Sequence, residues 1–119
     1  MWILFVGLAV GIAVGLVSPI AVPLIYGRYL SIALLAAMDT FFGGLRSSLE
    51  KTYDDAIFIT GFFMNALIAA GFVYLGDRLG LETLYLGAIV ALALRIFNNL
   101  GFIRRAIITR WRSRQRRAQ

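Results

Sequence analysis

The chain has 119 residues, of which 61% are hydrophobic, and it carries a formal net charge of +6. This length and composition predict one compact unit with almost no material for a soluble domain. The sequence contains no cysteine and no histidine, which excludes disulfides, thiol nucleophiles, and the commonest general base and metal ligand. It also contains no catalytic sequence motif, so we expect neither an enzyme nor a bound metal or cofactor.

The positive charge is concentrated in one short segment. Seven of the twelve basic residues lie in 104–119, which has no acid, and the rest of the chain has five basic against six acidic residues. A basic segment directly after a membrane helix typically contacts anionic lipid headgroups, and nucleic-acid binding is the less favoured interpretation. The residues expected at the headgroups are Arg104, Arg105, Arg110, Arg112, Arg114, Arg116 and Arg117.

Long uncharged runs predict membrane-spanning helices. Residues 1–27 and 56–76 contain no charged side chain, and about 20 apolar residues cross a hydrocarbon core. We therefore predict an all-α fold, a small polytopic membrane helical bundle with four transmembrane helices in residues 1–103. A basic cytoplasmic tail follows in residues 104–119.

Segment one is predicted at 2–17, before two prolines that disfavour helix. It has no charged leader or cleavage site, so we expect a retained helix rather than a signal peptide. Gly7, Gly11 and Gly15 recur every four residues and share one stripe, along which another backbone can approach closely. The packing partner is either a helix of the same chain or a second subunit.

Segment two is predicted at 29–45 and is the weakest span, since about 17 residues rise only about 25 Å. A re-entrant helix is the alternative at this position. Its Gly43 and Gly44 are further candidates for close helix packing. A polar loop is predicted at 46–55.

Segment three, at 56–75, is the clearest span, and Asp54 or Asp55 is expected to cap its first turn. A charged turn at 76–82 leads into segment four, at 83–103.

The distribution of basic residues predicts the orientation. With four spans both termini are cytoplasmic, which places nine basic residues inside and only Arg28 and Arg78 outside. If segment two does not cross, the N-terminus lies outside while the basic loop stays inside.

Three polar residues on three segments are predicted at one depth. Counted along the helical rise from the outer face, Asp39 lies at about 15 Å, Asn65 at about 16 Å and Arg95 at about 18 Å. Charges at that depth are costly unless they face inward and pair. We therefore predict an Asp39–Arg95 ion pair with hydrogen bonds from Asn65. Gly61, one turn before Asn65, belongs to a packing stripe of small residues.

This polar layer has two interpretations. It is either an ion or proton pathway or a polar clasp that fixes helix register, and the clasp is favoured because paired charges are poor carriers. Asn98 and Asn99 lie one turn deeper. They are expected to cap a helix break near Gly101 or to bond with Thr60.

Three short motifs carry a family resemblance. They are DxxxGGxR starting at Asp39, TGFFxN ending at Asn65, and RIFNN starting at Arg95. With the surrounding stretches 28–80 and 95–105, they resemble the bacterial small basic protein family of integral membrane proteins. The first helix and the tail carry little of this resemblance.

The resemblance implies a multi-pass protein of the bacterial cytoplasmic membrane whose activity is unassigned and whose gene often lies near cell-division and cell-wall genes. It implies no catalytic residue. The leading hypothesis is an interaction or scaffold subunit of the cell envelope, linked to growth or division, which binds a membrane-protein partner or forms a homo-oligomer.

The alternative hypothesis is a small oligomeric ion channel or transporter. The glycines and polar residues at 43–65 are loosely similar to those of fluoride channels. Those channels often insert in both orientations, however, whereas nine basic residues against two favour a single orientation here.

Overall fold

The computed structural model describes residues 2–119, and every regular element within them is helical. Helix α1 covers Trp2–Val17, a 3-10 turn covers Leu24–Tyr26, α2 covers Gly27–Leu49, α3 covers Asp55–Leu79 and α4 covers Tyr85–Arg117. The predicted all-α fold is confirmed. Three helices, α2, α3 and α4, are long and apolar enough to cross a membrane.

Helix α2 is longer than the sequence predicted. It has 23 residues rather than about 17, a rise of about 35 Å. The first residues of the predicted polar loop are therefore helical, up to Leu49. In this part Arg46 and Glu50 form an i,i+4 ion pair of 3.2 Å, and the Ser47 hydroxyl donates to the Gly44 carbonyl. These contacts continue the helix through residues that are polar but compatible with it.

Helix α1 is shorter than the three candidate spans. Its 16 residues rise about 24 Å, less than the hydrocarbon thickness of about 30 Å. Leu4 is its only buried residue, and the helix contacts the rest of the described chain mainly through α2.

Helix α3 begins at an acidic cap, as predicted. Asp54 Oδ1 accepts a hydrogen bond of 2.9 Å from the Ile57 amide, which satisfies one of the free donors of the first turn. The helix continues past the predicted end to Leu79, and Gly80 follows in the left-handed conformation (φ 68°). A glycine adopts that conformation without a Cβ penalty, which allows a tight turn into α4.

Helix α4 is continuous where a break and then a tail were predicted. Its 33 residues extend about 50 Å, through Gly101 and through the predicted boundary at Arg104. The helix break near Gly101 is therefore wrong. Because α4 is longer than a hydrocarbon core is thick, its arginine-rich end extends beyond the apolar part of the bundle.

The core lies between α2 and the two helices that pack against it. Helix α2 contacts both α3 and α4 extensively, whereas α3 and α4 contact each other less. Small side chains let the three backbones approach one another. The core cluster consists of Ile32, Ala36, Ala69, Val73, Ala88 and Leu92.

Candidate functional site

The three polar residues predicted at one depth meet in the structure. Asp39 Oδ2 lies 3.2 Å from Arg95 Nη2 and accepts a hydrogen bond of 3.1 Å from Asn65 Nδ2. Helix α2 supplies the carboxylate, α3 the amide and α4 the guanidinium. The predicted ion pair and hydrogen bond are therefore confirmed as contacts.

The two charges of this pair differ sharply in burial. The Asp39 side chain is 0% exposed because α2 is the central helix, whereas the Arg95 side chain is 58% exposed at the edge of α4. Among the described residues, Asp39 Oδ1 has no hydrogen-bond partner. A buried carboxylate oxygen without a donor is costly.

A polar cleft of about 200 Å³ begins at Asp39 and reaches the loop between α2 and α3. Thr40 and Ser47 line it from α2, and Thr52 and Asp54 line it from the loop. The core cluster fills the bundle on the opposite side of Asp39. The cleft thus opens towards one end of the bundle, and the bundle is packed on the other side of Asp39.

Arg46 joins α2 to α4 at the loop end of the bundle. Its Nη1 donates to Asn99 Oδ1 at 3.5 Å, and its Cζ lies 4.7 Å from the centre of the Phe102 ring. Asn98 is exposed, and the Thr60 hydroxyl donates to the Ala56 carbonyl of its own helix. The predicted bond from the asparagines to Thr60 is therefore wrong, and of the two asparagines only Asn99 has an interhelical hydrogen bond among the described residues.

A second ion pair closes the opposite end of the bundle. Arg28 Nη1 lies 2.9 Å from Asp77 Oδ1 and 3.4 Å from the Glu82 carbonyl. These contacts tie the start of α2 to the end of α3 and to the turn before α4. Both side chains of the ion pair are more than one-third exposed.

The predicted glycine packing faces have different environments. A Cβ added at Gly44 would lie 2.8 Å from Leu4 Cδ2 and 2.9 Å from Phe58 Cδ2, so a larger residue would displace the α1 and α3 side chains that pack against α2 here. At Gly43 the nearest atom would be Asn99 Nδ2, at an ordinary 3.6 Å. At Gly7, Gly11, Gly15 and Gly61, an added Cβ would have no described atom within 4 Å beyond its chain neighbours and the nearby backbone of its own helix.

Close packing within the chain is therefore absent along the α1 stripe and at Gly61, as far as residues 2–119 show. Gly7 and Gly11 instead line an open apolar groove of about 550 Å³, with α2 and α3 on its other side.

The arginine-rich end of α4 makes one contact that the sequence did not predict. Arg110 Nη2 donates to the Leu49 carbonyl at 3.1 Å, so the extension of α4 caps the last turn of α2. A basic side chain at a helix C-terminus satisfies free carbonyls and complements the helix dipole. The seven arginines of the predicted tail are all exposed.

These features define the class of the protein: a helical protein with three apolar helices suited to a membrane and a charged layer at their centre. The chain belongs to the family described as "Protein of unknown function (DUF1290)", whose model matches residues 22–108. The match leaves out α1 and the end of α4.

Individual relatives agree with this membership. A Bacillus subtilis protein named "Small basic protein" is 45% identical over 111 residues, covering 93% of this chain and 91% of the relative. Uncharacterized proteins of Mycobacterium bovis and Mycobacterium tuberculosis are each 48% identical over 101 residues, covering 84% of both chains. The resemblance to the small basic protein family is confirmed. No solved structure matches the chain at a significant level.

Proposed function

We propose that this protein is a non-enzymatic interaction subunit of the bacterial cytoplasmic membrane, which binds another integral membrane protein through the open face of α1. The observation that carries the proposal is the groove beside the glycine stripe. Its walls are apolar, and it is bordered by α1, α2 and α3. An apolar transmembrane helix is the occupant that suits such walls, because small residues let its backbone approach α1 closely.

The orientation in this proposal places both termini and the arginine-rich end of α4 on the cytoplasmic side. The two bundle ends support it: the end with Arg46, Lys51 and the arginine-rich helix is far more basic than the end with Arg28 and Arg78. In this arrangement α1 also crosses and the seven arginines contact anionic headgroups. A link to growth or division rests on the family resemblance alone.

Site-specific cross-linking in native membranes tests the interaction role. Because the chain has no cysteine, Gly11→Cys carries a single thiol to which a photoactivated cross-linker can be attached. Ala9→Cys is the matched control, since Ala9 is exposed on the opposite face of α1. We expect a discrete adduct with one membrane protein from Gly11→Cys and none from Ala9→Cys.

The mass of the adduct distinguishes the possible occupants. An adduct of twice 13.2 kDa would assign the groove to a second copy of this chain and replace the proposed partner. Equal adducts from both positions, or none, would contradict the interaction role.

A small ion channel or transporter is the second candidate function, and the cleft that reaches Asp39 favours it. Against it, the core cluster closes the bundle beyond the carboxylate, and Asp39 is already paired with Arg95. Purified protein in liposomes that raises anion or proton permeability would establish this alternative.

A further inference from the structure

We infer that the cleft beside Asp39 is a binding site for a small monovalent cation, reached from the loop end of the bundle. The site goes beyond the proposed interaction role and does not depend on it. It rests on three independent observations: an unpartnered buried carboxylate oxygen, walls that present acceptor oxygens, and a charge balance that one positive charge completes.

The first observation is the Asp39 side chain. It is fully buried and lines the cleft, and among the described residues its Oδ1 has no hydrogen-bond donor. Its other oxygen is occupied by both Arg95 and Asn65. A cation that enters the cleft and loses its water on the side of Asp39 would provide the contact that Oδ1 lacks.

The second observation is the orientation of the hydroxyl groups. Thr40 donates its proton to the Ala36 carbonyl at 2.9 Å, Ser47 to the Gly44 carbonyl at 2.9 Å, and Thr52 to the Ser47 carbonyl at 3.4 Å. Each hydroxyl proton is therefore already used, and each oxygen presents lone pairs. Oxygen acceptors are the ligands that hard cations prefer.

The third observation is the charge of the lining. Asp39 and Asp54 are negative and Arg95 is the single positive residue among the lining side chains, so the cleft carries one net negative charge. One monovalent cation neutralises it. Among residues 2–119 there is no cluster of three or more acidic side chains suited to a more highly charged metal.

Sodium binding to the purified full chain tests the inference. Radiolabelled sodium retention and thermal unfolding are measured while N-methyl-glucamine chloride replaces sodium chloride, so that ionic strength stays constant. We expect saturable binding and, at about ten times the dissociation constant, a rise in Tm of about 5 °C. Failure of the parent protein to retain sodium would overturn the inference.

A pair of matched variants localises the site. Thr40→Val removes an acceptor oxygen from the cleft, and Thr60→Val removes a hydroxyl that also bonds to its own helix but does not line the cleft. We expect Thr40→Val to weaken sodium binding about tenfold, as for one lost ligand worth about 1.4 kcal/mol, and Thr60→Val to leave it unchanged. Equal effects of the two variants, or none from Thr40→Val, would contradict the site. Thr52→Val, in the loop, serves as the second cleft variant if Thr40→Val does not fold.

Thiol accessibility tests the charge preference separately. Ser47→Cys places the only thiol of the chain in the cleft wall. A cationic and an anionic methanethiosulfonate reagent are compared, each rate being divided by the rate of that reagent with a free thiol in solution. The cationic reagent should modify the thiol of the Ser47→Cys variant several-fold faster than the anionic reagent. Equal rates, or a faster anionic reagent, would show that the cleft does not attract cations.

Discussion

The Asp39–Arg95 ion pair is expected to stabilise the bundle, and unequal burial predicts unequal effects of removing each partner. Arg95→Gln leaves a carboxylate that is 0% exposed without its counter-charge, which costs about 3–5 kcal/mol by analogy with buried pairs in soluble proteins. Asp39→Asn leaves a guanidinium that is 58% exposed and whose side chain is able to extend towards a polar region. Its cost should therefore be smaller.

Coulomb's law gives the size of the attraction between the two groups. At 3.2 Å and an effective dielectric constant of about 20, two unit charges attract by about 5 kcal/mol. The desolvation cost of the two charges offsets part of this attraction, so we expect a coupling energy of about 2 kcal/mol in a double-mutant cycle. The double variant should accordingly be more stable than the sum of the two single losses predicts.

Reversible unfolding in detergent, followed for the parent, both single variants and the double variant, measures this coupling. The exposed pair Arg28–Asp77 is the matched control, because its atoms are closer, at 2.9 Å, yet both side chains are more than one-third exposed. Its coupling should stay below about 1 kcal/mol. Strictly additive losses for Asp39 and Arg95, or equal coupling in the two pairs, would refute the reasoning.

Three further predictions concern packing and the arginine-rich end of α4. Gly44→Val should lower the free energy of unfolding by about 1–3 kcal/mol, because the added side chain overpacks against α1 and α3. Gly11→Val should cost far less, because Gly11 has open space around it. Thermal unfolding of both variants tests this difference. Arg110→Gln should increase amide exchange at the last turn of α2, since its bond to the Leu49 carbonyl is lost; unchanged exchange would contradict a capping role. A peptide of residues 104–119 should bind anionic vesicles, with a binding free energy of about 1 kcal/mol for each arginine near the surface, and it should dissociate in high salt. Equal binding to neutral vesicles would exclude an electrostatic contact.

The polar layer was predictable because two strong constraints act on it. The helical rise fixes depth from sequence position, and the cost of a lone charge in hydrocarbon requires a partner at that depth. Asp39, Asn65 and Arg95 satisfied both constraints, so their contacts could be predicted without an alignment. The Asp54 cap was predictable for a similar reason, since a free amide needs a local acceptor.

Other features were not predictable because they depend on packing rather than on depth. The length of α2 follows from local bonds of Arg46 and Ser47, which polarity alone suggested would lie in a loop. The roles of the glycines depend on which helix lies opposite: Gly44 faces Leu4 and Phe58, while Gly11 lines an open groove. The cleft walls at Thr40, Ser47 and Thr52 also went unrecognised, because isolated hydroxyls carry no sequence signal.

Crossing of the membrane by α4 is the central claim, since it places Arg95, and with it Asp39, inside the bilayer. Sided thiol labelling tests it directly in a chain without cysteine. Glu82→Cys precedes α4, and Gln119→Cys follows it. With an impermeant reagent, we expect Glu82→Cys to label in intact cells and Gln119→Cys to label only in inverted membrane vesicles. Labelling of both positions from the same side would contradict the account.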